Sequence, residues 1–241
     1  MADASPNEVL KSLKETLGEE FGSDLFYLRN KYLNTRIEWR FYRSFYGTNP
    51  ERVQLLNESS GIFFRTIETT LFEAVILGLC RLLDPIETGR GRGARANMTF
   101  RRLEKFIVPV ERKDRWNELV ESAENATEFA RDWRNRKIAH SDYLVSSQLE
   151  LLTEASRERV QISLEEIGEI LSWIYREFLD SDLVLDVLLP LEDEKRVLEM
   201  LFDGIELEKE KEELTKQALN TRDYNSIPAL PDRPNWVRGE E

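Results

Sequence analysis

Apolar residues recur at three- and four-residue intervals along most of the chain, the period of an α-helix with one buried face. Val9, Leu10, Leu13 and Leu17 set this pattern from Asn7 to about Phe21 and predict a first amphipathic helix. A second is expected from about Asp24 to Phe45, in a stretch crowded with aromatics and arginines, stopped by the turn chemistry of residues 47–50. From Pro50 to Leu83, a wide apolar face of Ile62, Phe63, Thr66, Ile67, Thr70, Leu71, Ala74, Val75 and Gly78 predicts a central helix. It should end at Asp84-Pro85, since proline disfavours helical geometry in the residue before it.

Residues 88–99, TGRGRGARANMT, break the pattern and predict a positively charged loop. Thr99 has the character of an N-cap for a short helix, FRRLEKFI. A further helix is expected from about Arg112, with Trp116, Leu119, Val120, Ala123, Ala126, Phe129, Ala130 and Trp133 on one side. Ser163 with Glu166 matches a capping box and predicts the opening of the next helix, LEEIGEILSWIYREFL. VQIS, just before it, carries a weak strand signal that would suit a short hairpin within residues 148–163. A last helix should begin near Leu191 and run into ELEKEKEELTKQ, whose alternating charge reads as a solvated face. There is no internal repeat. The fold class expected is all-α: an N-terminal helix over 1–24, a helical core over 25–190, a charged C-terminal helical extension over 191–220 and a flexible tail over 221–241.

Composition narrows the function. A third of the residues are charged and the formal net charge is −12, which argues against a protein that coats nucleic acid or an anionic membrane with its whole surface. The single cysteine, Cys80, makes no internal disulfide and, among the apolar residues 74–79, reads as a buried, inert thiol. The N-terminus lacks a signal-peptide pattern and the longest apolar run is far too short to span a bilayer, so the expectation is a cytoplasmic protein without membrane contact. With one cysteine and one histidine, a zinc site is excluded. Acidic pairs such as Glu165/Glu169 are ordinary helix surface, so no metal and no cofactor are expected. GRGRG follows a helix rather than a strand, which removes the context that gives a glycine-rich nucleotide loop its meaning. No G-x-S-x-G elbow is present.

The candidate chemistry lies in RDWRNRKIAHSD, residues 131–142, where Arg131, Arg134, Arg136 and Lys137 precede the only histidine, His140. The bland reading is a set of cations complementing a helix C-terminus, with His140 a helix-end residue. Arg134 and His140, six residues apart, differ by about 600° on a regular helix and face different sides. They converge only if the helix breaks between them or a second chain supplies one of them. Positive groups, an amide (Asn135) and an imidazole together are what a scissile RNA phosphate requires.

These residues resemble the R-x4-6-H motif of the HEPN superfamily, with a polar residue after the arginine. Arg81, Leu82, Asp84 and Pro85, then Asn97, Met98, Thr99 and Leu103, and finally Trp133, Arg134, Asn135, Ala139, His140 and Asp142 are similar to the ordered pattern of the AbiU-type family of abortive-infection systems. The likeness covers about residues 25–180 and leaves 195–241 unexplained. It implies an up-and-down helical bundle that dimerises with the motifs of two protomers facing each other, and a metal-independent endoribonuclease. Arg134, Asn135 and His140 would be its catalytic residues. Arg131, Arg136 and Lys137, with the loop residues Arg90, Arg92 and Arg95, would contact RNA, and Arg101 and Arg102 would extend the positive track. The expected partners are a second copy of the chain, an RNA substrate and a neutralising antitoxin. Two readings of other classes stand beside it. One is a non-catalytic HEPN module that binds RNA, a nucleotide or a partner protein. The other is a helical scaffold in which Trp133 packs, Asp132 pairs with Arg136 and His140 caps.

Overall fold

The computed structural model describes residues 5–89, 91–140, 142–183 and 193–227, without the side chain of Arg92. It is an all-α helical bundle. Ser5 opens α1 (Pro6–Leu17) with a reciprocal capping box to Glu8. Gly18, at φ 87°, reverses the chain into α2 (Glu19–Tyr42), so the first break falls before the expected one. At Gly22 a Cβ would stand 2.5 Å from the Leu13 backbone; only glycine lets α1 and α2 approach this closely.

Asn49 accepts from the Glu51 amide to cap α3 (Pro50–Leu82). This helix kinks at Ser60 (φ −166°, ψ 79°). The kink redirects the apolar face predicted for α3. Ile62 and Phe63 are exposed (88% and 55%), Phe64 is buried, and the stretch buried in the main core runs from Val75 to Leu83. The main core joins α1, α2, the second half of α3, α4 (Val110–Ala126), α5 (Glu128–Trp133) and α7 (Arg157–Leu179). A smaller cluster of Leu56, Phe64 and Leu198 seats α8 (Asp193–Thr221) on the first half of α3, and Arg40 of α2 holds Glu194 at 2.8 Å.

Four expectations are corrected. The loop over 88–99 contains a two-residue antiparallel pair, β1 (Glu87–Thr88) with β2 (Arg95–Ala96). Thr99 stands at the expected N-cap position, but its hydroxyl donates to the Leu82 carbonyl (3.0 Å) instead of accepting from the first turn, and FRRLEKF winds as a 3-10 helix. The predicted single helix through residue 133 divides at Thr127, whose hydroxyl bonds back to Ala123. VQIS belongs to α7, which starts at the Ser156 cap; Ser163 is buried inside it, donating to the Ala126 and Arg159 carbonyls at 2.8 Å. The strand-like alternation of Val160 and Ile162 was overridden here by helix packing. Of the tail expected over 221–241, residues 228–241 lie outside the described residues, as do 184–192 at the junction drawn between core and extension.

Candidate active site

The α5 helix presents the basic stretch and then changes its winding. From Arg134 to Ile138 the chain forms a π-turn: the Ala139 amide reaches the Arg134 carbonyl five residues back at 2.8 Å. Asp142 N then bonds to Arg136 O at 3.0 Å. Regular α-helical geometry, which sets Arg134 and His140 on different sides, is therefore abandoned between them. Asp142 accepts from the Val145 amide (3.1 Å) and caps the single turn α6 (Tyr143–Ser146). That bond first, and Arg136 after it, holds the Asp142 carboxyl below the usual range.

Each cation of the motif has an acidic or aromatic neighbour. Nη1 of Arg134 donates to Asp84, just past the end of α3, and its Nε donates to Asn135 Oδ1 at 3.0 Å. Arg136 stands 2.5 Å from Glu150, 3.6 Å from Asp142 and 3.8 Å from Asp132, and the Glu150 hydrogen bond pushes its pKa up further. Arg131 lies 4.0 Å from Glu124, which also pairs with Arg101. Lys137 stacks its ammonium over the Trp133 ring, 4.4 Å from the centroid. Trp133 is itself fixed by donation to the Thr153 carbonyl (2.7 Å) and by an edge contact with Phe72. Asn135, Lys137 and His140 are exposed. Arg134, Arg131, Arg101, Asp84 and Glu124, with Leu83, Pro85 and Ile86, line a pocket of about 560 Å³.

The other basic residues expected here are dispersed. Arg95 is exposed on β2, Arg102 is engaged by Asp24 at 3.2 Å, and Arg101 by Glu124. Arg90 and the side chain of Arg92 lie outside the described residues. Asn97 does structural work, donating to the Pro85 carbonyl (2.8 Å) and Thr88 (2.5 Å) and so closing the hairpin against the end of α3.

With this geometry in view, a family model for the HEPN domain AbiU2 matches residues 19–197. The chain belongs to the AbiU2 family of HEPN domains. No curated protein and no solved structure matches it. In this HEPN domain the arginine that opens the π-turn and the Asp84 that ends the central helix are joined across the bundle. Asp84 forms a salt bridge there, with the motif arginine as its partner.

Pattern reading missed the groups beneath the pair. Lys31 donates to the Met98 carbonyl (3.3 Å); burial lowers its pKa, Arg81 adds to the lowering, and Asp84 opposes it. Glu38 is pushed up by burial, with Arg81 opposing. Both sit half-buried on α2, where only the packed bundle brings them to Arg81. Burial raises the Cys80 thiol to about 11, which leaves it protonated and unreactive. Among the described residues, no group of three or more His, Cys, Asp or Glu is placed to hold a metal ion, and no helix is long and apolar enough to cross a membrane.

Proposed function

We propose that this HEPN domain is a metal-independent endoribonuclease, a cytoplasmic toxin or phage-defence effector that acts as a homodimer and is restrained by a neutralising partner. The observation that carries the proposal is the π-turn, which ends the regular helix between Arg134 and the exposed His140. In the reaction, His140 of one protomer takes the proton from the 2′-hydroxyl as that oxygen bonds to phosphorus. His140 of the second copy delivers a proton to the departing 5′-oxygen. The products are a 2′,3′-cyclic phosphate and a 5′-hydroxyl. Each proton step contributes about 10²–10⁴-fold, and a two-fold interface supplies both from a chain with one histidine. Arg134, oriented by Asn135, stabilises the charge that develops on the phosphorane oxygens. Arg131, Arg136 and Lys137 flank the strand.

The test is RNA cleavage in EDTA by the purified dimer. His140→Ala should abolish it, and cleavage at the wild-type rate would remove the assignment.

One observation favours a second reading. The arginines of the motif are already engaged by carboxylates, Arg134 by Asp84 and Arg136 by three acids. That arrangement, in a chain of net charge −12, suits a non-catalytic HEPN module binding RNA, a nucleotide or a partner protein. Under that reading no RNA is cut and His140→Ala leaves binding intact.

A further inference from the structure

A second π-turn, Arg43–Gly47, ends α2, and it too is surrounded by arginines. Arg43 and Arg52 line a groove of about 870 Å³ between α2 and α7. Arg157, at the first turn of α7, stands beside the π-turn: a Cβ on Gly47 would lie 3.5 Å from both the Arg43 Cβ and the Arg157 Nη1. The three guanidiniums are held by neutral acceptors. Arg43 donates to Gln161 Oε1 (3.3 Å), Arg52 to the Ser44 carbonyl and hydroxyl (2.8 and 3.1 Å) and to Thr48 (3.4 Å), and Arg157 to the Gly47 carbonyl. Among the described residues none of the three has a carboxylate partner, and each of these bonds uses Nη1. A guanidinium carries five N–H donors in a planar fork that matches phosphate oxygens. The facing wall of the groove is α7, where Gln161, Glu165 and Glu169 recur every fourth residue. Glu165 accepts from Gln161 (2.8 Å) and Glu169 lies 3.7 Å from Arg176; among the described residues neither forms an ion pair with Arg43, Arg52 or Arg157.

Cationic forks at one end and carboxylate acceptors along the wall complement a ligand with both phosphates and hydroxyl donors. A ribose-phosphate strand has both at each unit; a DNA strand lacks the 2′-hydroxyl. Trp39, Tyr42, Phe72 and Trp133 connect this turn to the motif by ring contacts of 5.4, 5.6 and 5.2 Å. We propose that the α2–α7 groove is an exosite for single-stranded RNA, in which Arg43 and Arg52, with Arg157 beside the adjoining π-turn, hold phosphates while Glu165 and Glu169 accept from ribose 2′-hydroxyls. This deepens the ribonuclease reading, on which the choice of RNA as ligand rests.

The test uses the full-length His140→Ala chain, which leaves the strand uncut, and the fluorescence anisotropy of a labelled single-stranded RNA 12-mer. Adding Arg43→Gln and Arg52→Gln together should weaken binding about tenfold or more per guanidinium. Two lost phosphate contacts should also flatten the salt dependence of log K by about 1.4. Arg43→Glu, at an exposed position, should weaken binding alone, and it carries the test if circular dichroism shows the double variant unfolded. A DNA 12-mer of the same sequence should bind more weakly than the RNA. Affinity and salt slope unchanged in the folded variants, no binding by the parent chain, or displacement by ATP as effective as by unlabelled 12-mer would each overturn the exosite. Cleavage by the wild-type chain is scored separately. If it occurs while the variants bind normally, the exosite falls and the ribonuclease stands. If it is absent while the variants lose binding, the reverse holds.

Discussion

Two helices of this domain, α2 and α5, end in the same way, by widening into a π-turn that carries arginines beside an aromatic ring, yet the two turns treat their cations in opposite ways. At residues 134–138, Arg134 is joined to Asp84 and Asn135, and Arg136 to Asp132, Asp142 and Glu150. At residues 43–47 the nearby guanidiniums are held by carbonyls, hydroxyls and an amide. A cation fixed by carboxylates is held in place but shares its charge, and so has less of it to offer a ligand. A cation fixed by neutral groups keeps its charge for a ligand, which suits affinity. Counting arginines in a sequence therefore says less than knowing what each one touches.

The largest effect that bears on this contrast is expected at the motif. Arg134→Ala should lower RNA cleavage by about 10²–10³-fold, the cost of losing one preorganised donor to developing charge. A rate within a few-fold of wild type, measured under single-turnover conditions, would reduce Arg134 to a structural tie. Next comes the ring between the turns. Phe72 touches both Tyr42 and Trp133. Because it is only partly buried, Phe72→Ala should cost about 2 kcal/mol, below the range for a fully buried ring. Thermal unfolding should still show one transition; two would mean that the turns belong to separately melting units. A smaller loss is expected at Gln161, whose Oε1 accepts from both the Trp39 indole (3.1 Å) and Arg43 (3.3 Å). Gln161→Leu leaves a buried N–H unpaired and should cost roughly 1–2 kcal/mol in urea unfolding, with a modest loss of RNA affinity. An RNA affinity unchanged by this variant would separate Arg43 from the groove.

The smallest effect is a pH dependence between the turns. Burial raises the Glu38 carboxyl, so the folded chain holds that proton to higher pH than the unfolded chain. Stability must then fall as pH rises from the unfolded pKa through the folded one, and the penalty is full above it. Glu38→Gln should therefore stabilise the protein at pH 7 and lose that advantage on acidification to below the unfolded pKa of about 4.3. Equal stabilisation at both pH values would show that packing, not charge, is responsible.

Much of this architecture is written in local chemistry. Helical spacing located most of the helices, and the Pro85 punctuation marked the end of α3 within two residues. Where the reading failed, a long-range contact decided. Ser163 looks like a cap, yet the carbonyl that receives its hydroxyl from outside the helix is Ala126, 37 residues away. The face of α3 was misjudged at Ile62 and Phe63 because the kink at Ser60 has no proline to announce it. At the candidate site, a broken helix was one of the two ways in which the spacing let Arg134 and His140 converge, and the helix does break there, while the motif itself was legible only through the family resemblance. The half-buried Lys31 and Glu38 were not, because burial near Arg81 exists only once α2 and α3 have packed. The charge state of the two turns was equally hidden: Glu150 and Asp84 lie 14 and 50 residues from the arginines they engage.

The central claim is that the turn bearing Arg134 and leading to His140 cuts RNA through its own 2′-hydroxyl, and end-group analysis of a defined single-stranded RNA treated with the purified chain in EDTA tests it most directly. The wild-type dimer should leave 2′,3′-cyclic phosphate and 5′-hydroxyl termini, and His140→Ala should leave the RNA intact. Termini bearing 5′-phosphate, or the same cleavage with His140→Ala, would contradict it.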